Sequence, residues 1–386
     1  MKKLIWIIVL AVAAVEGYGR FVLKLTPGYT RNDLSSALAS FVEFDPRTGL
    51  AYRINVDQLI DSPSGDFSFL FKTNEIGLRD RPMGTHLRSE LKFLVFGDEF
   101  AEGWGADIDQ AFVVQAQNIV NEKTGLNPPI RTVIAAKSGF GAAQNYLTAS
   151  ALIDTLKPRG IVMFYTSLMP HADARFLAKA KLEDGLAAGL AEDTAREPLM
   201  PHSEDYPATP PTWLVKTAGF SVAARMGAEL WGVRLAHPDL VAGDPATDRL
   251  AGIRAEDLKA VHAPSLRHVQ ALADLAASRR VPFMMVHLPL PPQVAENVWT
   301  EGRKLFGLAA GVTAIDDREV IEAFCAESRL RCLSLHDFLR DTAVSSSGKR
   351  LYHSNEIALT GSGTNAVAGW FADTLLTWMD ELGLRR

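Results

Sequence analysis

The sequence predicts an α/β domain built on a parallel sheet with helices on both faces. Three observations carry this expectation. Short apolar runs bounded by turn signals occur at Leu91–Phe96, Arg131–Ala136, Gly160–Tyr165 and Phe283–Val286, and they read as buried strands. Between them lie stretches of helical spacing at Ala111–Glu122, Gly141–Leu156 and Pro264–Arg279. Strands alternating with helices make βαβ units, whose strands run parallel.

The composition agrees. The 386 residues are 47 % hydrophobic and 22 % charged, which is globular and neither disordered nor fibrous. Forty Lys+Arg against 45 Asp+Glu give a net charge of −5, with no long basic cluster, so a nucleic-acid partner loses its electrostatic footprint. Two cysteines exclude a disulfide scaffold and a four-thiolate zinc site. No internal repeat supports a solenoid or propeller. No cofactor is expected.

The chain opens Met1-Lys2-Lys3 and is then apolar from Leu4 to Val15. Positive charge followed by an apolar run is an export signal. Ala11-Val12-Ala13 offers a small-residue cleavage motif. However, the apolar character continues through Phe21, Val22 and Leu23, past a Glu16/Arg20 pair spaced i,i+4. Read as one helix, residues 3 to 25 reach about 33 Å, enough for a bilayer core. An uncleaved transmembrane signal anchor over residues 1–25 is therefore expected in preference to a cleaved signal. The lysines before the span place the body outside the cytoplasm by the positive-inside rule, at an inner membrane facing the periplasm.

Residues 26–90 read as an N-terminal extension that packs on the main domain, with a strand-like Phe67–Thr73. The α/β domain occupies 91–386. Its rhythm breaks at about 170–256, where clustered prolines and Ala/Gly-rich sequence indicate an insertion with helical pieces and a long loop. Further strands are expected at Val312–Ile315 and Cys332–Leu335, with helices at Glu319–Glu327 and Ser362–Leu382. The short segment between Cys325 and Cys332 turns the chain back, so a disulfide is expected in an oxidising compartment.

Four segments in order carry a resemblance. They are Lys72-Thr-Asn-Glu-Ile-Gly-Leu-Arg-Asp80, Phe93-Leu-Val-Phe-Gly-Asp-Glu-Phe100, Ser138-Gly-Phe-Gly-Ala-Ala-Gln144 and Leu359-Thr-Gly-Ser-Gly363. Together they resemble the blocks of membrane-anchored, exported members of the SGNH/GDSL hydrolase family. The resemblance implies a three-layer, flavodoxin-like fold. It also implies acyl-transfer chemistry, which needs a Ser after Gly-Asp, a Gly amide and an Asn for the oxyanion, and an Asp-x-x-His pair as orienter and base. Here those positions fall on Glu99, Ala136, Thr166 or Ser167, Asn355 and Ala358. Every one is replaced. Glu99 is no serine nucleophile, and Ala358 takes no proton.

A degenerate, non-catalytic domain is thus expected. Its remnant pocket comprises Asp98, Glu99, Thr166, Ser167 and His353, with His353 a displaced base only if a nucleophile stood near it. The expected role is a binding or assembly subunit beside an integral-membrane protein, or a holder of a glycan ligand. The alternative is an acetylesterase or O-acetyltransferase acting on an exported or cell-surface polysaccharide. Asp98, Glu99 and Glu102 are read as turn and helix-start residues in preference to a cation site. His171 and Asp173 are read as a solvated loop, and His262 and His268 as decoration of a helix start. Trp213 and Trp231 are read as packing of the insertion, and Ser345–Gly348 as a loop.

Overall fold

The computed structural model describes residues 11–22, 40–62, 66–84, 90–194, 196, 198, 221, 257–294, 316–345, 350–353 and 358–385. The chain divides into two units, residues 1–35 with 202–247 and residues 36–201 with 248–386. In the first unit, residues 11–22 are helical and close with a π-helical turn, Tyr18–Val22. Arg20 Nε lies 2.6 Å from Glu16 Oε1, the pair that the i,i+4 spacing predicts. No helix among the described residues is long and apolar enough to cross a membrane. Residues 1–10 and 23–25 of the expected anchor lie outside the described residues, as do Trp213 and Trp231.

The second unit begins with two small antiparallel pairs. β1 (Val42–Glu43) pairs with β2 (Ala51–Tyr52), and β3 (Asp57–Asp61) with β4 (Ser68–Lys72). The α/β core follows: β5 (Leu91–Phe96), α1 (Glu99–Glu102), α2 (Phe112–Thr124) and β6 (Ile130–Ile134). Then come α3 (Ala142–Leu156), β7 (Gly160–Tyr165) and α4 (Met169–Leu177), and a hairpin of β8 (Ala180–Glu183) and β9 (Leu186–Leu190). The chain continues through α5 (Leu258–Ser278), β10 (Phe283–His287), α6 (Pro291–Val294) and α7 (Arg318–Ser328). It ends with β11 (Arg331–Ser334), α8 (His336–Ser345) and α9 (Gly361–Glu381).

Five strands make one all-parallel sheet in the order β11-β10-β7-β5-β6. Counted along the chain, that is the flavodoxin-like order, with the switch point between β5 and β7. Side-chain alternation splits the core into two layers. Phe93, Val95, Val162 and Phe164 pack with α2 and α9, while Leu94, Phe96, Ile161 and Met163 pack with α3 and α5. Both faces are apolar because both are covered, which is why these strands read as continuous hydrophobic runs. The outer edge of β6 is closed by the extension: Arg81 donates to Thr132 O at 3.2 Å, and Ile134 N–H donates to Asp80 Oδ2 at 3.3 Å. Edge polar groups are thus satisfied within the chain.

Several expectations need correction. The second core strand ends at Ile134, not Ala136; Ala135 N–H still donates to Val95 O at 2.8 Å before the chain enters the loop that follows. The helix expected from Pro264 starts at Leu258 and carries Pro264 inside it. An interior proline costs a helix about 3 kcal/mol. The first turn nevertheless forms, and it carries His262 into a buried polar cluster. The stretch expected from about 170 as an insertion with helical pieces contains α4 and, beyond what was expected, an ordered hairpin. Its turn residues Asp184 (φ 52°) and Gly185 (φ 77°) are both left-handed, as Asp-Gly in a two-residue hairpin turn requires. The Val312–Ile315 strand lies outside the described residues.

Candidate functional site

The sheet's carboxyl edge at the switch point is where an open α/β fold gathers ligands. There β5 passes through Gly97 straight into α1. A Cβ at Gly97 would lie 2.5 Å from the Ala101 Cβ, so the tight turn needs glycine. Asp98 caps α1, accepting Phe100 N–H at 3.1 Å, and its other oxygen accepts the Thr166 hydroxyl from the end of β7. Burial pushes the Asp98 carboxyl well up, and the charge of Glu99 adds to it.

Glu99 follows, at the position where the resemblance expects a nucleophile. It is only 5 % exposed, and its Oε2 accepts Gly139 N–H at 3.2 Å. One turn on, Glu102 Oε2 accepts Ser138 N–H at 3.0 Å and the Ser138 hydroxyl. The amides of the loop after β6 are therefore taken by the chain's own carboxylates. Arg79, fully buried between the rings of Phe69 and Phe71, donates to the carbonyls of Glu102 and Ala106. Burial raises the Glu102 carboxyl, and the nearby Arg79 charge opposes that rise. The Arg79 that ends the segment resembling Thr-Asn-x-x-Gly-x-Arg thus locks the extension onto α1.

Ala358 is buried at the other side of this edge. A Cβ on Gly105 would lie 3.1 Å from the Ala358 Cβ and 3.2 Å from the Phe67 ring, so Ala358 packs close against the Gly105 backbone. His353 is half-buried, with its ring 5.2 Å from that of Phe67 and its N–H donating to Ala358 O at 3.0 Å. Burial lowers its pKa. Asn355 lies outside the described residues. Ala136 is buried and offers no side-chain chemistry. Among the described residues, no group of three or more His, Cys, Asp or Glu forms a metal site.

No family model matches the chain, and no curated protein matches it. Solved structures do. A psychrotrophic esterase, EstA from Pseudoalteromonas sp., is 10 % identical, covering 75 % of this chain and 100 % of that chain at a TM-score of 0.37. An acetyl xylan esterase, AlAXEase, is 11 % identical, over 73 % and 98 %, at 0.37. A lipase/acylhydrolase from Enterococcus faecalis is 9 % identical, over 74 % and 94 %, at 0.36. The strand order, with the Gly97-Asp98 turn at the end of β5, is that of a flavodoxin-like α/β fold.

A second polar cluster, invisible in the sequence, lies beside the first. The dipeptide after β7 divides between them. Thr166 turns to Asp98, whereas the Ser167 hydroxyl donates to Asp317 Oδ2 at 2.7 Å. Gln293 Nε2 donates to Asp317 Oδ1 and to Ser167 Oγ, each at 3.0 Å. His287 Nε2, at the end of β10, lies 3.3 Å from Asp317 Oδ1, and His262 Nε2 lies 3.5 Å from Oδ2. The other nitrogen of His262 meets the Tyr165 hydroxyl at 2.8 Å. With Nε2–H turned to the carboxylate, Nδ1 accepts from Tyr165, a tautomer assigned from this network.

Electrostatics follow from that crowding of donors. Burial would raise the Asp317 carboxyl, but His287, His262 and Ser167 overcome it and hold it at about 2. Burial holds His262 below the ordinary histidine range. A carboxylate this acidic takes no proton from Ser167; it accepts the hydrogen bonds of Ser167 and Gln293 and faces His262 and His287.

Other placements differ from expectation. Asp173 is fully buried, not in a solvated loop. Its oxygens accept Ala142 N–H at 3.0 Å and Ala143 N–H at 2.9 Å, capping α3 from α4, and burial pushes it up to about 6. His171 is exposed. His268 is buried and bonded rather than decorative: its Nδ1 meets Pro264 O at 2.8 Å and its Nε2 accepts Ala187 N–H at 3.0 Å. Ser345 ends α8, and 346–348 lie outside the described residues. Cys325 of α7 and Cys332 of β11 are joined by a disulfide, with Cα atoms 6.1 Å apart.

Proposed function

We propose that this chain is a binding or assembly subunit: an SGNH-like domain without acyl-transfer chemistry, tethered by its N-terminus to the inner membrane and facing the periplasm. One observation supports the loss of chemistry most directly. Glu99 occupies the position where the resemblance expects the nucleophile, and its carboxylate accepts the Gly139 N–H of the loop after β6, at the edge where a substrate would bind. Acyl transfer needs free donors aimed where negative charge develops. Here a resident carboxylate already fills one, and its own charge repels an oxyanion.

The remaining roles of such a fold are to hold a glycan or an integral-membrane partner. The apolar N-terminal run supports the tether, and the Cys325–Cys332 bond is of the kind found in oxidising compartments. The test uses full-length protein in mild detergent. Hydrolysis of p-nitrophenyl acetate should not exceed that of a non-enzymatic control protein, and native-membrane pull-down should recover an integral-membrane protein or glycan. Peptide mapping should recover residues before Ala14. A hydrolytic rate lost on His353→Ala, or on fluorophosphonate treatment, would move the assignment to an exported polysaccharide acetylesterase or O-acetyltransferase.

A further inference from the structure

In the unit formed by residues 1–35 with 202–247, the helix of residues 11–22 has its polarity inverted for water. Its large apolar side chains are exposed, Val12 and Val15 among them, Tyr18 by 54 % and Phe21 by 84 %. Its acid is better covered: the Glu16 side chain is 24 % exposed. A helix on a water-soluble surface does the reverse, burying an apolar stripe and showing its charges. The acid is also the group that is held. Glu16 Oε1 accepts from Arg20 Nε at 2.6 Å, and Oε2 accepts the Ser221 hydroxyl at 2.8 Å.

Ser221 stands 205 residues further along the chain and belongs to the same unit. The sequence around it is uncharged from Thr217 to Ala224 and includes Phe220 and Val222, between Lys216 and Arg225. In lipid, an ionisable side chain turns toward protein and pairs. Apolar side chains there need no cover, because lipid tails are as apolar as they are. Glu16 and the exposed residues around it show both halves of that pattern. The apolar run Leu4–Leu10 leads into this helix behind Lys2 and Lys3, so lipid is the occupant that the chain itself implies for the exposed surface.

We propose that Ser221 returns the chain to the membrane: it seats on Glu16 of the N-terminal helix, while Val12, Val15, Tyr18 and Phe21 lie against lipid acyl chains. This rests on the N-terminal tether proposed above and adds a second membrane contact far along the chain. A tether standing alone would leave the Glu16–Arg20 pair to the lipid. With Ser221 in place, protein covers the acid and the apolar side chains are left to face outward.

The experiment places single cysteines in the full-length chain, Val12→Cys, Val15→Cys, Phe21→Cys and Ser221→Cys, labels each with bimane and reconstitutes it in phosphatidylethanolamine/phosphatidylglycerol vesicles. Cys325 and Cys332 are bonded to each other and stay unlabelled. Brominated acyl chains should quench all four labels more than aqueous iodide does. Copper-phenanthroline oxidation of the Glu16→Cys, Ser221→Cys double variant should join the two peptides. The Tyr18→Cys, Ser221→Cys variant should not crosslink, because residues two apart point to different sides of a helix. In protein that pellets with the vesicles, stronger iodide quenching at Val12, Val15 and Phe21 would overturn the lipid contact. Stronger iodide quenching at Ser221, or equal crosslinking from positions 16 and 18, would overturn the return to the membrane. Each of these results leaves the tether standing. Chain released from the vesicles and beginning at Ala14 would remove the tether and this proposal together.

Discussion

Replacing Asp317 with asparagine should cost the domain about 2.5 kcal/mol at pH 7. The substitution keeps the shape and removes the charge that Ser167, Gln293, His262 and His287 surround. The magnitude follows from the proton equilibrium. The carboxyl falls from 3.8 to about 2 on folding, and each tenfold change in proton affinity is worth about 1.4 kcal/mol. Because the folded value is depressed, this contribution is complete above about pH 5 and is lost as pH falls toward 2. By pH 3 it should be about half its value at pH 7.

A second consequence concerns His262. Burial keeps it neutral in the fold, so its effect runs the other way from a histidine that gains a partner: stability falls as pH drops below about 6.5, where the unfolded chain takes a proton that the fold does not. Asp317 opposes that depression, so Asp317→Asn should steepen the loss between pH 6.5 and 5. Urea unfolding followed by tryptophan fluorescence at pH 7, 5 and 3 measures both effects. A variant within about 0.5 kcal/mol of wild type at pH 7, or a deficit unchanged at pH 3, would falsify the cluster's electrostatic role.

Two further perturbations test the packing. Cys325→Ser should destabilise by about 2 kcal/mol through loss of a short-loop crosslink, read as an equal drop in the wild type under dithiothreitol; wild-type thiols that alkylate freely in exported protein would remove the bond. Gly141→Ala should cost about 1–3 kcal/mol by overpacking, because a Cβ there would sit 2.1 Å from Asp173 Oδ1 and dislodge the cap of α3; unchanged thermal stability would show that Asp173 has room to withdraw.

The β5, β7 and β10 runs were legible because strands covered on both faces must be apolar along their whole length, and chain order shows that directly. The Gly97-Asp98 turn into α1 was legible for a related reason: tight turn geometry marks its positions by sequence offset alone. The Asp184-Gly185 turn was also present as a signal, obscured by the Ala- and Pro-rich composition around it. What the amino acids could not show was partnership across distance. Asp317 and Ser167 are 150 residues apart, and Tyr165 and His262 are 97 apart. Nothing in the local pattern around His262 separates an exposed helix-start histidine from one turned onto a buried carboxylate.

The same limit applies to Glu99 and Glu102, which looked like ordinary acids at a helix start and proved to hold the amides of a loop 40 and 36 residues away. Residue type, period and turn chemistry determined the sheet and its two covered faces. Only the tertiary structure decided which buried charges would meet, because burial makes an unpaired carboxylate or imidazole costly, and only the strand order brings each one its partner.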